Sequence, residues 1–194
     1  MTPSAQPELT PPGAGLPLPE LWIARLLFTV RRLRGSRETF LAKFEQERAA
    51  IRALVASCAE EKRGRQVLIE RPRGLEDSSR NWSVWMTLDH LRITNTAVIR
   101  VITALTQGQV PPGKASTAAV KPSTTVTAAV EAEFEHSCDG VLAVIAGASD
   151  LKTAVRFAHP WFGSLDAFGW AAMAGTHMRV HRVQIQSIVA ELNR

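Results

Sequence analysis

The sequence predicts an all-α protein, a four-helix bundle, on three observations. Apolar residues recur at helical spacing over long stretches, no stretch alternates with the period of a strand, and cap-type residues or glycines punctuate the stretches. Four long helical patterns each carry one apolar stripe, and burying four stripes against one another is what a bundle does.

Each element follows from local pattern. Residues 1–19 hold six of the eleven prolines and no apolar periodicity. That composition does not offset its ordering entropy, so a disordered, proline-rich leader is expected there, ahead of a single domain over 20–194. Pro19 suits a first helical turn. Leu21, Ile23, Leu26, Leu27, Val30 and Leu33 then follow mostly helical spacing. Gly35-Ser36 interrupts them, with Ser36 a cap for a segment through Phe40, Phe44, Ile51, Leu54, Val55 and Cys58 to about residue 61. The two segments also read as one long kinked helix. After a polar connection over 62–81, Trp82-Ser83 opens a helix along Val84, Leu88, Leu91, Asn95, Val98, Ile102 and Leu105, which ends near Gly108. Residues 108–122 read as an exposed loop. A further helix runs from Val126 to Ile145 and closes at Gly147, and Ser164 is the expected cap of a last helix from about Leu165 to Leu192.

Composition narrows the function classes. No apolar run reaches the roughly 18 residues of a membrane span, and Leu21–Val30, with Arg25 inside it, does not look like a secretory signal. Cys58 and Cys138 have no ligand-type spacing and read as buried small residues in a reducing cytoplasm. The net charge is +5, and residues 1–80 carry 14 Lys/Arg against 10 Asp/Glu, densest at Arg25, Arg31, Arg32, Arg34 and Arg37. That patch is either a phosphate or nucleic-acid surface or an ordinary solvated face. The acids that follow it and the lack of an aromatic ladder favour the solvated face, so a nucleic-acid partner is not expected.

The residues that carry chemistry are histidines. His177 and His181 stand four apart on the last helix, hence on one face about 6 Å apart along the axis, a spacing that lets two imidazoles meet on one metal ion. Trp170, Ala174 and Ile188 border that face and turn it inward, and Gln184, one turn on, is placed to orient water or substrate. The residues alone leave a second reading open, two polar side chains hydrogen-bonded on a bundle flank, because the pair lacks the glutamate of the zincin motif. His90, between the core candidates Leu88 and Leu91, is a candidate third ligand from a neighbouring helix. Three imidazoles leave coordination positions free for water or substrate, as in a reactive site. His136, among three glutamates, reads as a surface residue, and His159, before Pro160, as a packing residue near the start of the last helix. In the connection before the third pattern, Arg80 and Trp82 are candidate wall residues for an anionic substrate, although an ordinary solvated connection is the favoured reading of that loop. Asp89 faces elsewhere.

The stretch Asn81-Trp82-Ser83-Val84 through Asp89-His90-Leu91, and the block from His159-Pro160-Trp161-Phe162-Gly163 to His177-Met178-Arg179-Val180-His181, resemble the second and closing helices of the DinB/YfiT-like superfamily. The resemblance spans about residues 20–194, and only these two blocks are specific. It implies a four-helix bundle, a homodimer, and a divalent metal such as zinc, nickel or iron on His90, His177 and His181. For activity it implies a small-molecule substrate and either a thiol S-transferase, with a low-molecular-weight thiol such as mycothiol or bacillithiol, or a hydrolase. A non-catalytic metal-binding stress protein is the alternative.

Overall fold

A computed structural model of the protein describes residues 8–194. Its helices are α1 (Leu18–Arg34), α2 (Arg37–Ala56), α3 (Val84–Thr106), α4 (Val130–Gly147) and α5 (Ala167–Leu192). The bundle is α2 to α5, with α3 packed on both α4 and α5, and α2 on α5. Its centre is filled by side chains such as Phe44, Ile51, Leu91, Ile102, Met178 and Ile185, all removed from solvent.

The ends of the helices follow from capping chemistry. Ser36 and Thr39 form a reciprocal capping box at the start of α2, and the Ser83 hydroxyl accepts from Met86 N–H at the start of α3. Gly35 permits the bend before α2, since a Cβ there would collide with the Phe40 ring and the Arg31 carbonyl. Two expectations are corrected here. α5 is capped by Asp166, whose carboxylate accepts from Gly169 N–H at 2.8 Å, while Ser164 lies exposed two residues earlier. And α2 ends at Ala56, not near residue 61.

α1 and α2 are two helices. α1 stands outside the bundle, against α5 and the turn before it. Phe28 stacks on Phe162 with ring centroids 4.4 Å apart, Arg25 donates to the Trp161 carbonyl at 2.7 Å, and Arg32 pairs with Asp166 at 2.9 Å. Of residues 8–19, the described part of the expected leader, 18 and 19 already belong to α1, and 8–17 contain no helix or strand, yet Leu16 is buried and Thr10 N–H donates to Asp77 at 2.9 Å. Residues 1–7 of that leader lie outside the described residues.

The connections hold four short strands where none was expected. β1 (Val67–Leu68) pairs antiparallel with β2 (Asn81–Trp82), and β3 (Phe157–His159) with β4 (Gly163–Leu165). Strands of two or three residues are too short to show an alternating pattern in sequence. Both ribbons abut α5 or its entry and lead into the helices that carry the histidines. Cys58 and Cys138 are buried free thiols, and burial pushes the Cys138 thiol up to about 12. Among the described residues no helix is long and apolar enough to cross a membrane.

Candidate metal centre

His90 projects from the second turn of α3, and His177 and His181 from the middle of α5, where the two helices pack together. His177 Nε2 lies 3.2 Å from His90 Nε2 and 3.1 Å from His181 Nε2. The three ligand atoms all fall within 4.8 Å of one another. His90 and His181 are buried and His177 is half-buried, so His177 is the most accessible edge of the cluster.

Hydrogen bonds behind the rings fix which nitrogens face inward. His90 Nδ1 is 2.6 Å from the Val120 carbonyl, which can only accept, so Nδ1 carries the proton and Nε2 presents a lone pair. His181 Nδ1 is 2.7 Å from Gln184 Oε1. The Gln184 amide nitrogen donates to the Ser79 carbonyl at 2.7 Å, which sets the amide's orientation and again puts the proton on Nδ1. Thr94 Oγ1 donates to helix carbonyls of its own α3 and stands 3.5 Å from His177 Nδ1, offering that ring an acceptor. Two Nε2 lone pairs, on His90 and His181, are thus aimed at the third ring's Nε2, with carbonyl-type acceptors behind both.

Such an arrangement fits a cation well. Nitrogens bonded at roughly 2.0–2.1 Å in a tetrahedral set lie about 3.3 Å apart, close to the separations seen here. Acceptors behind ligating imidazoles are the usual outer support of such sites. Burial is the main cause that holds all three imidazoles below their ordinary range, with His181 at about 4, and neighbouring His and Lys121 charges add to it. The rings are therefore neutral near pH 7, the form that binds metal.

The surroundings contain residues that were foreseen and residues that were not. Trp82, on β2, lies parallel to His181 with centroids 6.2 Å apart and 5.2 Å from His90, so it walls the cluster. Gln184 is fully buried behind His181. The Arg80 guanidinium holds the loop by donating to Ile69 O at 2.8 Å and Asp77 at 3.0 Å. Asp89 is buried, but it accepts from Ser123 N–H and pairs with Arg92. His159 is held at about 4 by burial, accepts from Trp161 N–H at its Nδ1, and stacks on Phe162. His136 is exposed.

Val120 and Lys121 were missed because they sit in the loop read as an exposed connection. The Lys121 ammonium lies 5.1 Å over the Trp82 ring and is held by Ser78, Ser79 and Glu76. Thr94, one turn after His90, carried a usable signal, since residues four apart share a helix face. The arginines of the basic patch are dispersed: Arg25 and Arg32 turn back onto the turn before α5, and Arg37 donates to carbonyls at the end of α4.

Comparison with known proteins agrees with the fold. The family model of the DinB superfamily matches residues 43–185, from α2 to α5, with all three histidines inside. The chain belongs to the DinB superfamily. No curated protein matches this DinB chain. Among solved structures, it is similar to TT2238, described as a four-helix bundle protein, with a TM-score of 0.57 and 20% identity over 78% of this chain and 98% of the other. At that identity the likeness speaks for the fold.

Proposed function

We propose that this DinB-superfamily protein binds a divalent transition metal through His90, His177 and His181 and is a metal-dependent enzyme of the thiol-transferase or hydrolase type acting on a small molecule. The observation that carries the reading is the pair of fixed tautomers: Val120 O and Gln184 Oε1 hold the Nδ1 protons of His90 and His181, which leaves their Nε2 lone pairs aimed at His177 Nε2. Three imidazoles suit zinc, nickel or iron, and availability decides among them as much as affinity. An ion held by three protein ligands supplies a Lewis acid with coordination positions left over.

The chain's own residues do the rest. Gln184 and Thr94 hold ring orientation, and the Trp82 indole keeps water from one flank of His181 and His90. Lys121, above Trp82, adds positive charge beside the cluster, which favours an anionic group such as a thiolate or carboxylate. The experiment is a turnover screen of the untagged, metal-loaded protein against low-molecular-weight thiols with electrophilic acceptors and against esters. Turnover that disappears with chelator and in His181→Ala is expected. Stoichiometric metal without turnover on any panel overturns the enzyme reading and leaves a non-catalytic metal-binding protein.

A further inference from the structure

The first helix presents an apolar face to solvent. Seven of the nine large exposed hydrophobic side chains among the described residues lie on α1, at 37–79% exposure. They expose more apolar surface than the roughly 300–600 Å² of the largest patch on an ordinary monomer. At about 100° per residue they fill one continuous sector of about 180°, with Leu18 at one edge, Leu26 at the centre and Leu27 at the other edge. Thr29 and Arg34 are the only polar residues inside it. So broad a sector is more than one partner helix covers, because the seam of a helix pair is a narrow stripe and a helix facing a core needs little more than about 100°. It suits a helix sunk to half its girth in a flat apolar medium.

The rims of this sector are basic. Arg25 and Arg32 follow one edge and Arg34 and Arg31 the other, against a single carboxylate on α1, Glu20, which is paired with Arg71. Asp166 neutralises Arg32, but Arg25 donates to the uncharged Trp161 carbonyl and keeps its charge. Arg34 is exposed, and Arg31 Nε is buried without a hydrogen-bond partner among the described residues. An open notch of about 220 Å³ at the end of α1 is lined by Arg31, Arg34, Gly35, Thr39 and Phe40. It stands on the rim beside Leu33, so two guanidinium groups suited to a phosphate adjoin the apolar sector. The opposite side of α1 is fastened by the Phe28–Phe162 stack and the Arg25 bond, which makes the exposed side a rigid surface. α1 precedes the stretch matched by the family model, so the feature belongs to this chain's own N-terminal addition to the bundle.

We propose that α1 is a membrane-surface anchor that lies in the plane of a bilayer, with its apolar sector against the acyl chains and its rim arginines on the phosphates of anionic phospholipids. A helix of 17 residues is about 25 Å long and rests on the surface without spanning it. Trp22, inside the sector and 65% exposed, supplies the amphipathic ring that settles at the headgroup level. Because α1 is already folded and fastened, docking orders no chain, and burial of its side chains is not offset by the backbone entropy of helix formation. The proposal stands apart from the metal reading and fails or holds on its own.

Co-sedimentation of the full untagged chain with phosphatidylserine–phosphatidylcholine vesicles, beside vesicles of phosphatidylcholine alone, reads the result. Binding to the anionic vesicles is expected to be at least about fivefold tighter than to the neutral ones. Leu26→Glu with Leu33→Glu abolishes it with unchanged far-UV circular dichroism, since both positions are exposed. Arg34→Gln weakens it about fivefold, which keeps the test decisive if the double variant misfolds. Excess soluble glycerophosphoserine leaves vesicle binding intact. A chain that stays in the supernatant with both vesicles overturns the proposal, as does equal affinity for the two or binding that survives the leucine substitutions in folded protein. Displacement by the soluble headgroup also overturns it, because the arginines then take a free phosphate and the apolar face plays no part. So does a supernatant chain whose mass in light scattering falls on the leucine substitutions, because the face then meets protein.

Discussion

At the residue scale, Gln184 decides which nitrogen of His181 faces the cluster. Its carbonyl oxygen holds the Nδ1 proton and its amide nitrogen is anchored on Ser79 O, with no exposure to solvent. Gln184→Leu keeps the volume and removes both bonds. It is expected to weaken metal affinity about 10–100-fold in a competition titration. In urea unfolding it should cost about 1–3 kcal/mol, because buried polar groups lose their partners. Unchanged affinity would mean that the amide does not set the ring. The histidines also make stability depend on pH. Burial holds His159 and His181 at about 4, whereas an unfolded imidazole titrates near 6.5. Between those values the unfolded chain binds more protons, so stability is fully present above about pH 6.5 and declines as the pH falls towards about 4. Urea midpoints of metal-free protein at pH 7, 6 and 5 should fall in that order. His159→Gln should remove up to about 1.4 kcal/mol per pH unit from the slope. A slope unchanged by that substitution contradicts the burial argument.

At the scale of elements, α5 carries the most. It supplies two histidines and Gln184, packs on α2 and α3, and begins at a cap that also holds α1. Asp166→Ala should therefore cost more than an ordinary cap, about 2 kcal/mol, since it removes both the Gly169 bond and the Arg32 ion pair. Ser164→Ala, at an exposed strand position, should change thermal stability by under about 0.5 kcal/mol. Equal losses would restore the serine as the cap. This contrast marks where local pattern stops being legible. Serine and aspartate are both good caps, and the choice between them rests on the β3–β4 ribbon, whose three-residue strands leave no periodic trace. The apolar stripes were legible because burial demands one residue type every three to four positions for several turns. The α1 stripe was legible as a helix, but its spacing did not tell that the stripe faces outward; only the packing of Phe28 and the arginines shows that.

At the scale of the molecule, the bundle brings residues 87 and 83 positions apart in sequence, His90 with His177 and Thr94 with His177, to one point between α3 and α5. The pairing of His177 with His181 was visible in spacing, and His90 was visible as a polar residue between core leucines. The support from Val120 and Lys121 was not, because a Pro-, Ser- and Thr-rich loop gives no sign of which carbonyl will meet a buried ring. An ion that binds only the folded bundle stabilises it by mass action, about 2.7 kcal/mol when free ion is a hundredfold above the dissociation constant. Chelation should accordingly lower the melting temperature of the wild type and leave that of His177→Ala unmoved. A chelator shift of equal size in both would put the ion elsewhere. The most direct measurement of the central claim is elemental analysis of untagged wild type beside His90→Ala, His177→Ala and His181→Ala. One divalent ion per chain in the wild type, with strong loss in each folded variant, is the predicted result. A wild type without bound metal after zinc, nickel and iron loading, or variants that retain a full equivalent, would contradict it.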